Sequence, residues 1–135
     1  MLVVDASIAL TWCFEDEVTD ATQVIERRVD SEGAVVPAIW RLEIANALLV
    51  AERRGRLGKV QAEECLKLMA DLPLSVDADP GNQSWADTVL LARAHGLTAY
   101  GAAYLELAIR LDADLASLDR ELRRAAKTMG TRVLP

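Results

Sequence analysis

Five short apolar runs recur along this chain, Leu2 to Val4, Ala34 to Val36, Leu74 to Val76, Ala113 to Leu118 and Thr131 to Leu134, with amphipathic helical stretches between them. Runs this short and apolar suit strands buried on both faces, the situation of a parallel sheet covered by helices. Helices between parallel strands force a layered α/β domain with right-handed crossovers. The pattern predicts one domain over residues 1–135, built on a small five-stranded parallel sheet. Ser7 or Thr19 can cap early helices, Pro37 precedes a long helix ending near Gly55, and Gly58 leads into another through Leu72. Ser84 precedes a helix ending at His95-Gly96, and Thr98 precedes one ending near Leu111.

With 135 residues and 52% hydrophobic content, such a domain can bury a sizeable core without disulfides or a structural metal. Cys13 and Cys65 have no CxxC or Cys/His spacing and read as plain buried thiols, the expectation for a reducing, cytoplasmic setting. No apolar run approaches the roughly 20 residues of a membrane span, and the chain starts in a strand rather than a basic signal segment. The net charge of −6 argues against a protein that coats nucleic acid by bulk attraction. Lys59, Lys67 and Lys127 are the only lysines, so 12 of the 15 basic residues are arginine, the better bidentate phosphate ligand. They gather in two clusters, Arg53, Arg54, Arg56 and Lys59, then Arg120, Arg123, Arg124, Lys127 and Arg132; a solvated helix face is the plainer reading of each.

Two of the strand runs end in an aspartate: Leu2-Val3-Val4-Asp5 and Leu115-Ala116-Ser117-Leu118-Asp119. Strand tips of a parallel sheet share one edge, so acids there can converge. Glu43 borders an apolar helical stripe formed by Ile39, Leu42, Asn46 and Leu49 or Val50, where a carboxylate wants a partner. A dinucleotide fold would need GxGxxG after the first strand, where Asp5-Ala6-Ser7-Ile8-Ala9 has no glycine. A DxD phosphatase pair fails at Ser7, and a phosphoacceptor receiver domain lacks its lysine near Thr131-Arg132-Val133-Leu134. There remains a carboxylate site for a hard divalent cation, for which phosphodiester hydrolysis is the natural chemistry. The plainer alternative is that Asp5 and Asp119 cap the helices that follow and Glu43 faces solvent.

Four segments together carry a family resemblance: Val4-Asp5-Ala6-Ser7-Ile8-Ala9-Leu10-Thr11-Trp12, Pro37 with Glu43-Ile44-Ala45-Asn46-Ala47-Leu48, Leu97-Thr98-Ala99-Tyr100-Gly101-Ala102-Ala103-Tyr104, and Leu115-Ala116-Ser117-Leu118-Asp119-Arg120. In this order and spacing the chain resembles the PIN-domain ribonucleases of the VapC toxin type. The resemblance implies a PIN-like three-layer fold, Mg²⁺- or Mn²⁺-dependent endoribonuclease activity on RNA, and inhibition by a VapB-type antitoxin. It places the family's acids at Asp5, Glu43 and Asp119, its small hydroxyl positions at Ser7 and Ser117, and a polar position that can orient the glutamate at Asn46. The family's remaining aspartate falls on Gly101.

Gly101 is also odd without the family. It sits just inside a helix, where glycine costs about 1 kcal/mol relative to alanine. Close packing is one account; an inactivating variant of a toxic enzyme, and natural divergence, are the others. The form in hand is therefore expected to be weak or inactive as a ribonuclease, and a catalytically silent module that engages antitoxin or RNA stands as the alternative. Apolar faces over Val18 to Val29 and Ile39 to Val50 suggest a groove for an antitoxin helix, and a homodimer is the expected assembly. His95 suits a helix C-terminus; Trp12, Trp40 and Trp85 read as packing residues, with Trp40 beside Arg41 also able to line a partner groove.

Overall fold

A computed structural model describes residues 1–135. In chain order the elements are β1 (Leu2–Val4), α1 (Ala6–Thr11), α2 (Asp20–Glu32), β2 (Ala34–Pro37), α3 (Ile39–Arg53), α4 (Lys59–Asp71), β3 (Leu74–Asp77), α5 (Gly81–His95), α6 (Ala99–Arg110), β4 (Asp114–Ala116), α7 (Arg120–Thr128) and β5 (Val133–Leu134). All five strands pair in parallel in the order β3-β2-β1-β4-β5, with Val4 opposite Ala116 and Ala116 opposite Leu134. The sheet is therefore the one that the apolar runs predict, with β4 and β5 each trimmed to the residues that have a ladder partner.

The chain steps outward from β1 through β2 to β3, then returns across the sheet to β4 and continues to β5. Right-handed crossovers in opposite directions cover opposite faces of the sheet. The return limb, α6, accordingly packs across β2, β1 and β4, while α1 packs on α3 and α3 on α4. Ile8, Ile44, Leu105 and Leu115 are wholly enclosed between these layers, each such side chain contributing about 1.5–3 kcal/mol of transfer free energy.

Local chemistry explains most of the helix boundaries. The Thr19 hydroxyl accepts the Thr22 N–H at 3.1 Å and Thr22 Oγ1 accepts the Thr19 N–H at 2.9 Å, a reciprocal cap for α2. That helix ends at Gly33, whose φ of +73° and approach of an added Cβ to 3.0 Å from the Pro73 carbonyl both demand glycine. Ser7 does not cap α1, which starts directly after Asp5. Helix α5 starts at Gly81, ahead of Ser84, because Pro80 already has helical backbone angles at its N-cap. No helix is long and apolar enough to cross a membrane.

Candidate functional site

Between β1 and β4 the chain's outgoing path and its return path part, which makes their C-terminal ends the switch point of the sheet, the usual place for a ligand in an open α/β fold. Asp5 follows β1 there, and Ser117, Leu118 and Asp119 follow β4. The Asp5 N–H extends the ladder by donating to the Ala116 carbonyl at 2.9 Å. Above it the two strand tips are tied by side chains. Ser117 Oγ donates to Asp5 Oδ2 at 2.6 Å and accepts the Asp119 N–H at 3.0 Å, while Ser7 Oγ donates to the same Asp5 oxygen at 2.7 Å and accepts the Leu118 N–H at 2.9 Å. Both hydroxyls expected near the site thus hold Asp5, and neither merely packs.

Asp119 has a double position. Its Oδ1 accepts the Leu122 N–H at 2.9 Å and caps α7, as the plainer reading anticipated. Its other oxygen has no partner within the chain, and the residue is exposed at the sheet edge. Asp5 also keeps one oxygen, Oδ1, without a side-chain hydrogen-bond partner, although the residue is buried and the Ser7 N–H also acts on its carboxyl.

Glu43 joins from the first turn and a half of α3. The buried Tyr104 hydroxyl donates to its Oε1 at 2.5 Å, leaving Oε2 free of protein partners. Burial, and then the charges of Asp5 and Asp119, push the Glu43 carboxyl above its ordinary range; the Tyr104 hydrogen bond offsets part of this. Burial likewise raises the Asp5 carboxyl, opposed by the hydrogen bonds of Ser117 and Ser7 and reinforced by the charge of Asp119. The three acids therefore feel one another's charge. Yet no three His, Cys, Asp or Glu side chains in the chain gather tightly enough to hold a metal ion by themselves. The expected three-carboxylate cage is not closed.

Other expectations need correction. Asn46 is exposed and has no hydrogen bond to Glu43; the orienting group is Tyr104, on the opposite layer. Helix α3 buries Trp40, Ile44, Leu48 and Ala51, leaving Leu42 and Leu49 exposed, so the stripe beside Glu43 is an outer face. Trp12 and Trp40 are core residues, but Trp85 is 73% exposed. Trp40 and Arg41 do line a recess of about 250 Å³ between α3, α4 and the β3 edge. Cys65 is buried but Cys13 only partly so, and burial followed by the neighbouring Cys65 thiol pushes the Cys13 thiol up to about 12. His95 lies in the last turn of α5, and its carbonyl accepts from Arg124 at 2.9 Å.

Gly101 lies in the first turn of α6, its N–H donated to the Thr98 hydroxyl at 3.1 Å. Its backbone is not left-handed, and an added Cβ would meet only Thr98 Oγ1, at 3.5 Å, an ordinary contact. Nothing packs against it closely enough to require glycine. The close-packing account of this residue falls.

The PIN domain family matches residues 2–128 of the chain. Ribonuclease VapC3 of Pyrobaculum aerophilum is 31% identical over 122 residues, covering 90% of this chain and 91% of that protein. Among solved structures, PAE2754 from Pyrobaculum aerophilum superposes with a TM-score of 0.74 at 24% identity, over 98% of this chain and 82% of that one. FitAcB from Neisseria gonorrhoeae superposes with a TM-score of 0.69 at 13% identity, over 100% and 97% of the two chains. At those identities the structural likenesses speak to fold alone.

Proposed function

This chain belongs to the PIN domain family, and on that premise we propose that it is a toxin-type, cytoplasmic endoribonuclease whose RNA-hydrolysing site is weakened by Gly101. The observation that supports the reading is the joining of Asp5 and Asp119 through Ser117 at the switch point, with Glu43 near enough to feel both charges. Magnesium or manganese suits the donor set. The carboxylate oxygens left without side-chain partners are hard ligands, and Mg²⁺ is commonly held by one or two carboxylates plus water and substrate phosphate rather than by a closed protein cage. Asp5 Oδ1 and the free Asp119 oxygen would hold the cation, with Glu43 Oε2 on its flank. When bound, such an ion supplies a positive centre against the phosphate oxygens and makes a bound water more acidic.

The chain's own groups do the rest. Ser7 and Ser117 fix the Asp5 carboxylate through its Oδ2 and leave Oδ1 free of both hydroxyls. Tyr104 fixes Glu43, whose raised proton affinity would suit Oε2 to take a proton from the attacking water as its oxygen bonds to phosphorus and the P–O bond to the leaving oxygen breaks, that oxygen taking a proton from solvent. An aspartate at position 101 would add a fourth carboxylate in the first turn of α6, where the helix dipole favours it.

The test is cleavage of labelled single-stranded RNA with Mg²⁺ or Mn²⁺ by the chain and by Gly101→Asp. The substitution is expected to raise the rate by about a hundredfold or more, from recovering a few kcal/mol of transition-state stabilisation, and EDTA is expected to abolish the gain. Equal cleavage by both forms would remove the special role of Gly101. A Gly101→Asp protein that binds RNA without cutting it would favour the other reading that Gly101 raises, a silent PIN-fold module that engages antitoxin or RNA. In either case we assign a VapB-type antitoxin to the outer faces of α3 and α4, where Leu42, Leu49, Val60 and Leu66 are exposed, in place of the expected Val18 to Val29 face, whose Ile25 and Val29 are buried, and a second copy of the chain to α5.

A further inference from the structure

Immediately beside Asp119, helix α7 presents Arg120, Arg123, Arg124 and Lys127, which with Leu118 line a recess of about 390 Å³. The positions i, i+3, i+4 and i+7 fall on one helix face, and Arg120 and Lys127 lie about 10 Å apart along the axis. The state of each cation is known. Arg123 is turned to backbone oxygens, donating to Ser117 at 2.8 Å, Leu134 at 3.1 Å and Pro135 at 3.1 Å, which fix its position. Arg124 pairs with Glu121 at 2.9 Å. Arg120 and Lys127 are exposed and have neither an ion pair nor a hydrogen bond.

Arg120 is placed where stability alone would not put it. It is the first residue of α7, where the helix macrodipole disfavours a cation. The chain as a whole is acidic, at −6, so a face with four cations and one paired carboxylate is a local reversal of the protein's field. A reversal of this kind, beginning at the residue that follows Asp119, calls for an anion that must approach the acids without being repelled by them.

We propose that Arg120 and Lys127, steered by the fixed charge of Arg123, bind consecutive phosphates of a single RNA strand, holding the nucleotides next to the bond presented to Asp5 and Asp119. This rests on the RNA reading given above and adds the path of the strand: away from the sheet edge along α7, rather than over the Arg53 and Arg54 cluster at the far end of α3. The track is short and lies on one helix face, which suits an extended strand; a duplex would need cations placed to follow both backbones.

The experiment measures binding of a labelled, 2′-O-methylated twelve-nucleotide RNA to the full chain by fluorescence anisotropy, in EDTA, over a series of KCl concentrations. Each phosphate contact on a single strand contributes about 0.7 to the slope of log affinity against log salt. Replacing both residues by alanine (Arg120→Ala with Lys127→Ala) is expected to flatten the slope by about 1.4, whereas Arg120→Lys with Lys127→Arg keeps it. Arg53→Ala with Arg54→Ala removes the same charge elsewhere and is expected to leave the slope as it was. Circular dichroism verifies the fold of each variant. An unchanged slope in the Arg120/Lys127 alanine pair, or an equal loss in the Arg53/Arg54 pair, overturns the proposed track while RNA binding stands. Absence of any salt-dependent RNA binding by the unaltered chain overturns the RNA reading itself.

Discussion

Ser117 is a hydroxyl shut away from solvent, and it spends both of its hydrogen-bonding roles on the two strand-tip aspartates. The bond to Asp5 favours its ionised form, because burial works against that charge and the Ser117 and Ser7 hydrogen bonds work for it. Burial wins, and the folded carboxyl titrates above its ordinary value of 3.8. A carboxyl that is harder to ionise folded than unfolded makes the chain lose stability as pH rises from that ordinary value through the raised folded one. Asp5→Asn has no such loss. In EDTA it is expected to unfold at higher urea than the parent at neutral pH, with the advantage fading as pH falls through the raised folded value and gone below 3.8; a constant difference at every pH would show that Asp5 costs the fold nothing through its charge. Single residues also mark where reading the sequence reached and where it stopped. Asp5 and Asp119 were legible because strand tips of a parallel sheet must share an edge, and Ser117 only through the family resemblance. Tyr104 was not, since its hydroxyl meets Glu43 only after α6 crosses the sheet, and within the run Ala102-Ala103-Tyr104-Leu105 it reads as one more core residue.

At the scale of elements, α7 has to be both a helix and the wall of a site. Its N-cap is Asp119, so the same carboxylate that would hold a cation also anchors the first turn through Leu122. The two roles separate by substitution. Asparagine caps about as well as aspartate, while alanine loses about 1 kcal/mol. Asp119→Asn is therefore expected to keep the parent's urea midpoint and Asp119→Ala to lower it, yet both are expected to be dead for RNA cleavage when placed in the Gly101→Asp protein. A cleaving Asp119→Asn protein would leave Asp119 as a cap alone. Element boundaries were readable at Thr19 and Thr98, whose hydroxyls do cap, and were misread at Ser7 and Ser84, whose helices start earlier. The buried face of α3 was not readable. Nine of the twelve positions from Ile39 to Val50 are apolar, so periodicity offers more than one stripe, and the one chosen, Ile39, Leu42, Asn46 and Leu49 or Val50, is not the buried one. The sheet chose instead, taking Trp40, Ile44 and Leu48 and turning Leu42 and Leu49 outward.

For the molecule as a whole, the sheet and the two layers satisfy most of the apolar chain and leave α5 as the exception. Of its fifteen residues only Ser84 is buried, while Trp85, Val89 and Leu90 stand out, with Tyr100 of α6 lining the same recess as Trp85. A helix this exposed draws little stability from the sheet, and isolated helices of its length are marginal in water. It nonetheless lies firmly on α6. A large exposed tryptophan beside a tyrosine, with a valine one helical turn on, is the composition of an interface core, not of a solvated face. A second copy meets it most economically, because a two-fold axis lets the same patch cover itself. Light scattering on the purified chain at tens of micromolar is therefore expected to give twice the mass of 14.7 kDa. Trp85→Glu with Val89→Glu is expected to halve that mass with the far-ultraviolet dichroism unchanged, since neither side chain supports the core. A monomeric parent would show that α5 awaits some other partner, and a dimer indifferent to the double substitution would place the two-fold contact on another face, leaving the Trp85 patch without an owner.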